Sequence, residues 1–177
     1  DPKHTISFDA ERQAELMARA SELGADGRLL ADSDGQPRLV SLAEKLLVPM
    51  LVKLTNLVPG GGIWLNTQRP EWNDANNALA GYGLSVVTVG YLRRYLTFLD
   101  GLLARAESES LRLSAPVAAL AAELTSVLAA LPDELDDAGR YEAMAALGRA
   151  GEAHRAAVYS SDQPALVEVT VGGLRQL

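Results

Sequence analysis

The stretch "SLAEKLLVPMLVKLTNLV", Ser41 to Val58, limits the possible folds more than any other part of the chain. Leu42, Leu46, Met50 and Leu54 recur at helical spacing, and Leu47, Leu51 and Leu57 add a second stripe beside them. A helix that is apolar around so much of its circumference has to be enclosed by other elements. Ser41 and Glu44 stand in the S-x-x-E order of a capping box, which fixes where the helix starts. Pro49 lacks an N–H and predicts a kink or an early end.

Other helices are available to enclose it. Asp9 to Leu23 reads as a first helix, with Asp9 as N-cap, Glu11 in the first turn and Gly24 as the stop. "GADGRLLADSDGQPRLV" follows with two Asp-Gly pairs and a proline, the composition of turns around one short extended piece. Asp32 and Asp34 do not make a calcium loop, because Gly35 is misplaced and no late Glu follows. Gly83 to Ala106 reads as a third helix, with Val87, Tyr91, Tyr95, Phe98 and Leu102 close to one face. Two more follow. One is capped by Ser114 with Pro116 early, and carries Val117, Leu120, Leu124, Val127 and Leu131. In the other, Gly148 and Gly151 weaken the helix but permit close packing. The final "ALVEVTV" alternates like a strand, yet also suits the approach to another helix. The expected class is therefore all-α: helical hairpins over residues 1–177, forming one helical domain or a fragment of a larger chain. Both ends read as cuts through a longer polypeptide.

Composition narrows the function. The net charge of −7 argues against a nucleic-acid or anionic-membrane surface, since phosphate binding needs clustered Lys and Arg. With no cysteine, thiolate metal sites and a Cys nucleophile are excluded, and a cytoplasmic setting is expected. No run of about 18 apolar residues suggests a membrane span. His4 and His154 are isolated and read as surface or packing residues rather than metal ligands.

The one dense polar stretch lies at residues 60–83, expected as a loop between the second and third helices. Gly60, Gly61 and Gly62 would allow close approach of backbone to a ligand. Trp64 and Trp72 offer flat faces for stacking on a sugar ring. Asn66, Gln68, Asn73, Asn76 and Asn77 supply the paired donors and acceptors that a polyhydroxylated ligand requires. Glu71 and Asp74, three apart, would point the same way on a helical turn, and Trp72 beside them could hold a carboxyl group protonated as a general acid. A plainer reading makes Asn73 or Asp74 the cap of the third helix and pairs Glu71 with Arg69.

"RPEWNDANNAL", Arg69 to Leu79, resembles the Trp-Asn-Asp segment of inverting disaccharide phosphorylases such as the cellobiose and chitobiose enzymes. Those are large bacterial carbohydrate-active proteins with an (α/α)6-barrel catalytic domain. The resemblance implies a partial barrel of helical hairpins, with Asp74 as general acid and Trp72 lining the neighbouring sugar subsite; beside them Glu71 is the second catalytic candidate, orienting substrate or holding a hydrogen bond, and Arg69 a substrate-binding candidate. It also implies a disaccharide or oligosaccharide partner, inorganic phosphate as co-substrate with no other cofactor, and the remainder of the parent polypeptide to complete the site. Glu71 stands where the family commonly has Asp. In a phosphorylase, phosphate attacks opposite the acid, so one protein acid suffices. An inverting hydrolase needs a second carboxylate about 6.5–9.5 Å away, and Glu71 approaches from the wrong side for that. The same loop on a non-enzymatic helical module would bind a sugar or a partner protein without turnover.

Overall fold

The computed structural model describes residues 8–32, 34–66, 82–160 and 164–177. Helix α1 (Ala10–Leu23) is followed by a short 3-10 turn and by α2 (Leu42–Leu54), β1 (Leu57–Val58) and β2 (Gly62–Asn66). Then come β3 (Tyr82–Ser85), α3 (Val86–Leu103), β4 (Ser110–Ser114), α4 (Ala115–Ala129), α5 (Asp137–Ser160), β5 (Leu166–Thr170) and a last turn, α6 (Val171–Leu174). The strands form two antiparallel sheets, β1-β2-β3 and β4-β5. The chain is thus mixed α and β, which overturns the all-α expectation and the partial (α/α)-barrel drawn from it.

Apart from β5, whose alternation was visible, the strands are hidden in the sequence because they are short and sit directly against helices. Val58 and Leu57 prolong the apolar run of α2, but the helix ends at Leu54, and Leu57 pairs with Ile63 in the sheet. Tyr82–Ser85 looks like the first turn of α3, yet Ser85 has extended backbone and is the N-cap, accepting from Thr88 N at 3.2 Å. The "SLRLS" of β4 alternates cleanly and pairs with β5 from Ser110↔Thr170 to Ser114↔Leu166. The alternation at "LVEVT" was therefore a strand, with α6 immediately behind it.

The core forms where α2, α3, α4 and α5 meet the inner faces of both sheets. Met50, Leu51, Ile63, Leu113, Leu124 and Leu147 are its largest fully buried side chains. Helix α2 runs through Pro49 to Leu54 and buries Leu47, Met50, Leu51 and Leu54, but it is not enclosed all round, since Leu42 and Val52 stay exposed. Close packing of α5 on the end of α2 depends on Gly151, where an added Cβ would lie 2.9 Å from the Thr55 side chain. Gly148 faces open space and has no such role.

One polar contact is sealed inside. The Ser41 hydroxyl accepts from Glu44 N at 3.2 Å, as the capping box predicts, but the Glu44 side chain does not serve its own helix start. It is 3 % exposed and accepts from Ser114 N at 2.8 Å and from the Ser114 hydroxyl at 2.5 Å. Ser114 is the N-cap residue of α4 and makes no side-chain bond to that helix itself. Glu44 therefore caps α4 from a distance, with its carboxyl group at the positive end of the helix dipole. This joins α2, β4 and α4 at one buried point.

Candidate functional site

The polar stretch is carried by strands. At its near end Val58 to Gly61 make a tight turn, with Gly61 N donating to Val58 O at 2.9 Å. Pro59 in the second position and Gly60 in the third, at φ 75°, match the requirements of a type II turn. The turn rests on α5: a Cβ at Gly60 would come 3.3 Å from Arg140 Nε, and Arg140 is itself paired with Asp137 at 3.1 Å. At Gly62, an added Cβ would press on the Ser85 backbone at 3.0 Å. The glycine run that suggested a ligand cradle serves the turn and the close pairing of β2 with β3.

The register places Ile63 opposite Ser85, Trp64 opposite Leu84, Leu65 opposite Gly83 and Asn66 opposite Tyr82. Ile63 is fully buried and Leu65 packs against the core, so one face of this strand pair is anchored. Trp64 and Leu84 share the opposite face, where Trp64 is half-buried and Leu84 lies over Gly61. Trp64 N donates to Asn56 O at 2.8 Å, which ties the strand to the end of α2. Of the aromatic, amide and charged residues singled out in the polar stretch, Trp64 is the one whose side chain is described. Gln68, Arg69, Glu71, Trp72, Asn73, Asp74, Asn76 and Asn77 lie outside the described residues. The described part fixes their points of attachment: residues 67–81 join two strands whose facing ends, Asn66 and Tyr82, are paired.

The same geometry removes the plainer reading of Asp74 and Asn73 as the cap of α3. That helix starts at Val86, and its cap is Ser85, bonded both to Thr88 N and to the Thr88 hydroxyl (2.8 Å). A serine followed by "VVT" was the available signal, hidden by extending the helix back through Gly83.

Asp32 and His154, two other polar residues weighed from the sequence, serve local contacts. The Asp32 carboxylate accepts from Asp34 N and Gln36 N, both at 3.0 Å, and so shapes a turn. His154 Nδ1 lies 3.1 Å from Pro116 O and joins α5 to the first turn of α4, the packing role expected of it. His4 lies outside the described residues. A cleft of about 260 Å3 opens beside α2, α3 and α6, lined by Leu47, Met50, Leu96, Leu99, Leu103 and Leu174 and by the ion pair of Asp100 with Arg175 (2.7 Å). So apolar a lining does not suit a sugar, which needs convergent donors and acceptors.

Among the described residues no helix is long and apolar enough to cross a membrane. No protein-family model matches the sequence, and no curated protein matches it either.

Proposed function

We propose that this chain carries the acid-bearing segment of a carbohydrate-active protein that cleaves or phosphorolyses a glycosidic bond with inversion. Asp74 donates the proton to the leaving oxygen, Trp72 stacks on the sugar beside it, and Glu71 with Arg69 orients the substrate. Asn73, Asn76, Asn77 and Gln68 supply hydrogen bonds to hydroxyl groups, and Trp64 extends the aromatic surface from the strand. Inorganic phosphate is the co-substrate, a disaccharide or oligosaccharide is the partner, and further parts of the parent polypeptide complete the site in the cytoplasm. The observation that carries the reading is the clamp at Asn66↔Tyr82 on a strand pair anchored by Ile63. The paired strand ends are the base from which an acid could be presented to a substrate.

A second reading, sugar or partner binding without turnover, is favoured by the half-buried Trp64 on the outward face. A panel of disaccharides, with and without phosphate, separates the two. Release of a sugar or sugar phosphate supports the catalytic reading. Saturable binding that Trp72→Ala abolishes, with every sugar recovered intact, supports the second.

A further inference from the structure

The cleft beside α2, α3 and α6 pairs an apolar wall with a charged mouth. Leu96, Leu99 and Leu103 stand at steps of three and four on α3, Leu47 and Met50 at a step of three on α2, and Leu174 closes the third side. Leu47, Met50, Leu99 and Leu174 are buried, so little solvent reaches the wall. The third element is the single turn α6, and two of its four residues are glycine. It brings too little side chain to fill the space, which leaves about 260 Å3 open. The Tyr95 hydroxyl donates to Leu46 O at 2.9 Å and ties α3 to α2, which holds the two walls apart. A water in such a place needs about two to four polar partners, and the leucine wall offers none. A hydrocarbon group is the better filling.

Arg175 stands at the mouth and donates through Nε to Asp100 Oδ1 at 2.7 Å. Among the described residues this is its one hydrogen bond. Both terminal amino groups of the guanidinium are left over, in the planar fork that matches a carboxylate. Its side chain is 44 % exposed, so the fork is open to an incoming group. Asp100 sets the plane of the fork and also the charge it accepts. Beside that carboxylate a monoanion meets less repulsion than a dianion such as a phosphate ester.

We infer that this cleft binds a small carboxylic acid with a hydrocarbon body, its tail against Leu99, Leu103 and Leu174 and its carboxylate on Arg175. The space of about 260 Å3 lies just under the roughly 300–1,000 Å3 of pockets for drug-sized ligands, so the acid is a small one. The inference rests on neither the sugar-binding nor the catalytic reading of the polar stretch.

Octanoate titrated against the 177-residue chain, followed by calorimetry and methyl NMR, tests it. The expected result is saturable binding that shifts the methyl signals of Leu99, Leu103 and Leu174 more than those of Leu124 and Leu147, which do not line the cleft. Octanol has the same tail without the carboxylate, and octyl phosphate carries a dianion in its place. Each should bind at least about tenfold more weakly than octanoate. Arg175→Met should raise the dissociation constant for octanoate at least about tenfold and remove its advantage over octanol, with unchanged circular dichroism. Octanoate that shifts no methyl signal at millimolar concentration overturns the inference. So does octanol or octyl phosphate binding as tightly as octanoate, or an Arg175→Met chain that holds octanoate as well as the unaltered one.

Discussion

Helices α3 and α4 are both rich in apolar residues at helical spacing, yet they use them differently. In α4 the stripe of Val117, Leu120 and Leu124 is the buried one, and the helix start is held by Glu44 across the core. In α3 the more conspicuous stripe, with Tyr91 and Phe98, faces outward, while Leu92 and Leu99 make the inner contact. The difference teaches that periodicity locates a helix but does not by itself say which of two apolar faces the core takes. Neighbours decide that. Helix α4 is gripped by α2, α5 and β4, whereas α3 contacts α2 and β2 along one side.

Substitutions should separate the two helices sharply. Leu124→Ala, at a fully buried site of α4, should cost about 2–5 kcal/mol in denaturant unfolding. A loss near zero would mean that α4 is not the packed partner described. Next in size, Glu44→Ala leaves the Ser114 N–H and hydroxyl without their buried acceptor, at a cost of about 1–3 kcal/mol. Chemical denaturation would detect this, and Ser41→Ala alone should cost less. Smallest is Phe98→Ser on the outer face of α3, which should change the stability of the chain by no more than about 0.5 kcal/mol. A large loss there would place Phe98 in a core that the present arrangement does not give it.

Much of the helical framework was legible. Asp9 caps α1 through Arg12 N at 2.9 Å, Gly24 ends that helix at φ 67°, and Ser41 starts α2. The two caps are local bonds between residues three apart and Gly24 is a local backbone conformation, which is why the sequence exposes them. Beyond the alternation at β5 the sheets were not legible, because a strand of two to five residues is defined by its distant partner: Leu111 needs Val169, and Trp64 needs Leu84. The same holds for Glu44. Its spacing from Ser41 suggested a local capping box, but its acceptor atoms are spent on a residue 70 positions away. In the polar stretch, the glycines announced a special backbone without saying that a type II turn, rather than a ligand, required it. The cap of α3 was misassigned because β3 runs into the helix with no break in apolar character.

The central functional claim is that Asp74 is held for proton donation rather than for starting a helix. Turnover of a responsive disaccharide by Asp74→Asn tests this most directly, since Asn keeps the shape and the capping ability of Asp but cannot act as the acid. The account predicts a fall in kcat of about 100-fold or more, with the folded state intact. Turnover equal to that of the unaltered protein would contradict it.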